Sequence, residues 1–157
     1  LLSLIFIMLV IGFLIRLPVI IVSCENQILY EKPLKGEVEM TLEYVHSVER
    51  TTVIEVFKIR NDGIYLEKFL WQSFGSGLPS EPINTKLSIT EVKGFYCIDN
   101  IGKNLGFEIT AWFIPENMCK VRINDRYITR LDNGGLLVIR LAYKPIAELM
   151  VKQLFEG

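Results

Sequence analysis

Along Val38, Met40, Leu42, Tyr44, His46 and Val48 every second residue is apolar or ring-bearing, and the intervening Glu37, Glu39, Thr41 and Glu43 are polar. A period of two is the pattern of a strand with one face buried. The next run alternates too, with Val53, Glu55, Phe57 and Ile59 on one face. A turn centred between Arg50 and Thr51 predicts a hairpin whose cross-strand partners have numbers summing to 101. Val48 then faces Val53, His46 faces Glu55, Tyr44 faces Phe57 and Leu42 faces Ile59, all on the same otherwise apolar face. A slip of one residue would bring Lys58 inward. Arg-Thr is not a favoured two-residue loop, so a four-residue loop over 49–52, or a bulge, is expected instead.

The rest of the chain reads mostly as short strands. Residues 19–24 form a first strand, Glu25-Asn26-Gln27 a turn and residues 28–30 a second strand. Asn61-Asp62-Gly63 is a turn signal. It precedes an aromatic-rich strand over 64–74 with Tyr65, Phe69, Trp71 and Phe74. Residues 75–82, Gly-Ser-Gly-Leu-Pro-Ser-Glu-Pro, are a loop by composition. Further strands are predicted over 94–98, 107–114, 121–123, 127–131 and 136–143, with turns at Asn124-Asp125-Arg126 and Asp132-Asn133-Gly134-Gly135. Pro145 can open a helix at its first position. Ile146, Leu149, Met150 and Leu154 then form a stripe that should pack on the sheets. The expected fold is all-β, a small antiparallel sandwich or barrel with a hydrophobic N-terminal helix and a short C-terminal helix.

Residues 1–15 carry no charge and are almost wholly apolar before Arg16 and Pro18 intervene. As a helix they rise roughly 22 Å, short of the hydrocarbon core of about 30 Å. The chain starts with Leu rather than Met, and a truncated membrane anchor or signal segment over 1–18 is expected, followed by a β-rich domain over 19–157. The alternative is a buried core helix, which the near-absence of polar positions disfavours. Ile21-Val22-Ser23-Cys24 resembles a bacterial lipobox, in which the cysteine is lipidated after cleavage. Arg16 and Pro18 inside its apolar stretch favour the strand over the lipobox.

Charge and chemistry narrow the function. The 157 residues carry 17 basic and 18 acidic side chains with no basic run, which disfavours nucleic acid as a partner. The cysteines Cys24, Cys97 and Cys119 have no zinc-like spacing. Cys97 and Cys119 could pair outside the cytoplasm or remain buried thiols. No cofactor motif appears, and a metal held by His46, Glu49 and Glu55 is disfavoured because Glu49 should point away from the His46 face or sit in the turn. Gly75-Ser76-Gly77 lacks the full spacing of a nucleophile elbow, and a triad could use only His46, the single histidine. The loop also lacks the lysine of a phosphate-binding loop. A His–Glu pair on a core face either fixes register as a satisfied polar pair or forms a ligand- or proton-handling site.

Residues 44–55, with their His-Ser-Val-Glu-Arg-Thr core, resemble the hallmark of a family catalogued as domain of unknown function 1850. Residues 72–79, Gln-Ser-Phe-Gly-Ser-Gly-Leu-Pro, resemble its second block, with Ser76 where alanine is usual. Gly94-Phe95-Tyr96 resembles a third, and the similarity extends over roughly residues 19–155. The resemblance implies a small membrane-anchored domain, placed outside the cytoplasm, whose genes often lie beside TRAP-type transporters of the TAXI class. It implies no catalytic residues.

Three readings follow. The first is a non-enzymatic accessory domain tethered to the cell membrane, with a transporter permease or solute receptor as partner. A hydrophobic patch beside the glycine loop would support it. The second is a small-ligand-binding module with polar groups converging on a cavity near His46 and Glu55. The third is a hydrolase using His46, which requires a hydroxyl or water in reach of the imidazole. Candidate ligand- or partner-binding residues are His46, Ser47, Glu49, Arg50, Glu55, Ser73, Gly75 and Gly77.

Overall fold

A computed structural model of the chain describes residues 3, 10–75, 77–81 and 87–156. Among them, strands β1 (Arg16–Cys24), β2 (Gln27–Pro33), β12 (Gly135–Pro145) and β9 (Glu108–Phe113) form an antiparallel sheet in the order β2-β1-β12-β9. The second sheet contains β3 (Val38–Val45), β4 (Thr52–Arg60), β5 (Gly63–Trp71), β6 (Thr90–Val92), β7 (Phe95–Ile98), β10 (Lys120–Ile123) and β11 (Arg126–Arg130). Its order is β11-β10-β3-β4-β5-β7-β6, with β8 (Lys103–Asn104) beside β5. Every pairing is antiparallel, so the fold is sandwich-like.

The core lies where the alternating faces of the two sheets meet. Ile20 and Val22 of β1 and Leu137, Ile139 and Leu141 of β12 share one buried cluster with Met40, Leu42, Phe57, Ile59 and Ile64 of the other sheet. Val53, Trp71, Leu78 and Ile98 form a second, smaller cluster, with Tyr44 packed against both. Two of the hairpins turn through residue pairs with left-handed backbone, Glu25–Asn26 and Asn124–Asp125. Positive φ at both central residues is the geometry whose twist matches that of the flanking strands. Gly134 is required for a different reason: a methyl there would lie 2.4 Å from the carbonyl oxygen of Phe113.

The β3–β4 hairpin departs from the expected register. Tyr44 faces Val53, Leu42 faces Glu55, Met40 faces Phe57 and Val38 faces Ile59. These partners sum to 97 rather than 101. The change is even, so each side chain keeps its face, but His46 does not pair with Glu55. It lies beyond β3, at the start of a loop over residues 46–51, longer than the expected one. The His46 N–H donates to the Thr51 carbonyl at 2.8 Å and the Arg50 N–H to the His46 carbonyl at 3.0 Å, with Arg50 in the left-handed region.

Other differences are local. The first strand starts at Arg16, and Pro18 stands opposite Tyr143 within the β1–β12 ladder. β1 is paired on both sides, so the cleavage that a lipidated Cys24 demands would remove a strand from the middle of the sheet. Cys24, Cys97 and Cys119 are all free thiols, so Cys97 and Cys119 are not bonded to each other. Pro145 ends β12, and the C-terminal helix α1 runs Ile146–Glu156. Its expected stripe is only half used: Ile146 and Leu149 are partly buried, while Met150 and Leu154 are exposed. Of the hydrophobic N-terminal helix expected over 1–18, residues 10–14 are helical, residues 16–18 belong to β1 instead, and residues 1, 2 and 4–9 lie outside the described residues. No described helix is long and apolar enough to cross a membrane.

Candidate functional site

The loop over 46–51 and the glycine-containing loop after β5 are built against each other. The Glu49 N–H donates to His46 Nδ1 at 3.2 Å. The Glu49 side chain reaches across to the second loop, where the Ser73 hydroxyl donates to Glu49 Oε2 at 3.4 Å. A methyl on Gly75 would lie 2.0 Å from Glu49 Oε1, so the carboxylate occupies the volume that a side chain at residue 75 would need. A methyl on Gly77 would lie 3.9 Å from His46 Nε2, and the Thr52 N–H donates to Gln72 Oε1 at 2.9 Å. The sequence places His46, Glu49, Ser73, Gly75 and Gly77 in two separate segments, and the fold makes them one junction. Ser47 and Arg50 are exposed on its rim.

Glu55 lies elsewhere, on the inner face of β4. Its Oε1 accepts the Tyr44 hydroxyl at 3.0 Å. Two cavities meet at it. The outer one, about 270 Å³, is lined by Tyr44, His46, Ser47, Trp112, Phe113 and Asn117 along with Glu55 and Ala111. The inner one, about 290 Å³, has walls of Leu42, Phe57, Leu105, Ile109, Thr110 and Ile139 and again Glu55 and Ala111. Both run along β9, the edge strand of the first sheet, where it overlies β4 of the second. His46 and Glu55 thus share a cavity without sharing a ladder position.

The electrostatics follow from the setting. Loss of hydration pushes the Glu55 carboxyl above the ordinary glutamate range, and the Tyr44 hydrogen bond opposes this only in part. The Tyr44 phenol is itself pushed up by burial and by the adjacent Glu55, so it remains a donor throughout the working pH range. Burial, then the nearby Glu55 and Cys24, raise the Cys119 thiol to about 12, which keeps it neutral. Tyr44 is fixed by an edge-on contact with Phe113, ring centroids 5.2 Å apart. Asn117 closes the outer wall: its Oδ1 accepts the Ile114 N–H and its Nδ2 donates to the Val45 carbonyl, each at 2.7 Å.

Sequence reasoning singled out Glu55 but missed Tyr44, Asn117 and the whole contribution of β9. Tyr44 stood in the alternating stripe as an apolar position, and its hydroxyl was the overlooked signal. Asn117 sits in a 3₁₀ turn, Pro115–Asn117, without a motif to mark it. No described hydroxyl forms a hydrogen bond with the His46 imidazole; Ser73 bonds to Glu49 and to the Phe74 carbonyl instead. Among the described residues no three His, Cys, Asp or Glu side chains gather to hold a metal.

The architecture and site define a β-sandwich with a carboxyl-bearing cavity between its sheets. Residues 40–129, more than half of the chain, match the family described as domain of unknown function, DUF1850, and the protein belongs to that family. The match covers both loops of the junction, Glu55 and all of β9. Searches among curated proteins and among solved structures find no match.

Proposed function

We propose that this protein is a non-enzymatic, small-ligand-binding module whose site is the cavity at Glu55. The observation that carries the reading is that carboxyl, placed where a mixed outer cavity meets a mainly apolar inner one. Ligand sites are mostly apolar concavities with a few converging polar groups. Tyr44, His46, Ser47 and Glu55 converge here, and the space beside His46 is open rather than filled. The test is a fragment screen on the full chain, read by amide chemical shifts. Binding should perturb Tyr44, Glu55, Ala111 and Trp112 together. A screen in which no compound moves these signals overturns the proposal.

A second reading, compatible with the first, makes the module an accessory domain tethered to a membrane and associated with a TRAP-type (TAXI) solute importer, the domain lying outside the cytoplasm. Two surface features favour it. Val10, Ile11, Phe13 and Leu14 are exposed beside the C-terminal helix, which exposes Met150, Val151 and Leu154. A methyl on Gly12 would be 3.5 Å from the Ala147 Cβ, so the two segments adjoin. Beside the glycine loop, exposed Phe74 packs on Tyr96 with centroids 4.1 Å apart, and Val92 of the neighbouring β6 is also exposed. Exposed apolar clusters of this kind mark membrane or protein contacts. Capture of the tagged protein from its native membrane should bring down a permease or solute receptor. Capture of the bait alone, with the N-terminal segment intact, counts against the association.

A further inference from the structure

The chemical class of the ligand can be taken further, on the basis that the cavity at Glu55 is the binding site. We propose that it takes a small apolar molecule bearing one cationic nitrogen, the nitrogen at Glu55 and the apolar body against Leu42, Phe57, Ile109 and Ile139.

Four observations point to this class. Glu55 has a carboxyl with one oxygen engaged by Tyr44, and no basic side chain among the described residues forms an ion pair with it. Other acidic residues are different: Glu31, Glu37, Glu43, Glu67 and Glu108 all have Lys or Arg partners. An acid in such a wall without a basic partner either holds a proton or is completed by a cation that arrives with a ligand, and the second state is the one a binding site uses. Tyr44 and Phe113 line the same outer cavity with ring centroids 5.2 Å apart, and aromatic faces attract ammonium groups. Among the described lining residues an anionic ligand would find no lysine or arginine to supply a fixed positive charge. His46 is the one lining residue that could supply it, and its Nδ1 is committed as an acceptor to the Glu49 N–H. Finally, the inner cavity beyond Glu55 is walled mainly by apolar residues, with Thr110 as the other polar one, so the body of the ligand must be largely apolar too.

The titratable groups around Glu55 are Tyr44 on β3, His46 in the adjoining loop and Cys119 before β10, with Cys24 on β1 beyond Cys119. Tyr44 and Cys119 stay neutral across the useful range, because burial raises both.

The test uses the full chain and three probes of one length: n-pentylammonium, n-pentanol and pentanoate. Calorimetry gives the affinities and amide shifts give the location. The ammonium should bind at least about tenfold tighter than the alcohol, the scale of one charge-assisted hydrogen bond. Its affinity should rise as pH rises through the titration of Glu55, because the carboxylate is the binding form. Glu55→Gln, which can still accept from Tyr44, should remove the preference for the ammonium while leaving the alcohol's affinity within about twofold. Preference for pentanoate, with affinity falling as pH rises, overturns the inference, since Glu55 would then act as a neutral donor. An ammonium no tighter than the alcohol, with both shifting Ala111 and Trp112, also overturns it while the ligand-binding reading stands. Three probes that leave those signals unmoved overturn both. The wild-type comparison decides the matter even where Glu55→Gln fails to fold.

Discussion

Tyr44 and Glu55 offer a quantitative check on the geometry. Tyr44→Phe removes one hydroxyl and leaves the ring against Phe113 at its 5.2 Å edge contact. What is lost is the 3.0 Å hydrogen bond to Glu55 Oε1. A hydrogen bond to a charged group contributes about 1.5–3 kcal/mol, and the carboxylate left behind loses its only described donor. Glu55→Leu acts in the opposite direction. It replaces an acid bounded by Leu42 and Phe57 with a side chain of similar size, and such replacements are neutral to stabilising. In the Glu55→Leu background the Tyr44 hydroxyl has lost its acceptor, so Tyr44→Phe should then cost nothing or help slightly. The double-mutant cycle, measured by urea denaturation at neutral pH, should give a coupling of about 1.5–3 kcal/mol. The Tyr44→Phe single change should lower Tm by about 4–8 °C if its cost is about 2 kcal/mol in a chain of this size. A coupling under about 0.5 kcal/mol, the limit of ordinary additivity, would refute the reasoning, because it would mean that Glu55 is solvated and Tyr44 does not hold it.

The raised carboxyl also fixes the sign of a pH effect. Folding favours the protonated form of Glu55, so its contribution to stability is full below the unfolded glutamate value and is lost as pH rises through the higher folded one. Glu55→Gln has no such window, so its stability relative to wild type should grow with pH across that range in paired denaturation curves; a constant difference would count against the buried setting. Gly75→Ala should displace the Glu49 carboxylate, costing about 1 kcal/mol, and should be nearly neutral once Glu49→Ala has cleared the space. Additive effects in that pair would mean that the two loops do not pack as described. Glu31, whose side chain is 4% exposed, is paired at 2.8 Å with both Lys144 and Lys152. Burial pushes its carboxyl up, but the two lysines outweigh that and hold it below the ordinary range. Its contribution is therefore present above the usual glutamate value and lost as pH falls through the lowered one. Glu31→Gln should cost about 2 kcal/mol at neutral pH and expose residues 144–156 to proteolysis; unchanged cleavage there would show that the ion pairs do not tie α1 to β2.

Alternation told which face of β3 and β4 points inward, because a period of two survives any even shift of register. It could not tell where the strand ends. His46 fits the stripe as a ring-bearing residue, yet its Nδ1 takes the Glu49 N–H and the chain leaves the sheet there. The turn chemistry that sets the register is tertiary: the loop is stabilised by the glycine loop across from it, and Gly75 is small because Glu49 lies over it. The two blocks that carried the family resemblance thus meet in space, although neither predicts the other from its own residues. The cavity was hidden for a similar reason. Glu55 could be picked as an acid on an apolar face, but the opposing wall comes from β9 of the other sheet. Proline and arginine at the head of β1 read as an interruption, and pairing with β12 overrode that. The α1 stripe had helical spacing, which shows amphipathicity but not what covers the face, and Met150 and Leu154 are left outside.

The most direct test of the central claim is the titration of the Glu55 side-chain carboxyl carbon by NMR, with and without n-pentylammonium. The structure predicts a midpoint above the ordinary glutamate range that moves down when the ammonium is added, because the cation favours the carboxylate. A midpoint at the ordinary value, unmoved by the ammonium, would place Glu55 in water and contradict a binding cavity there.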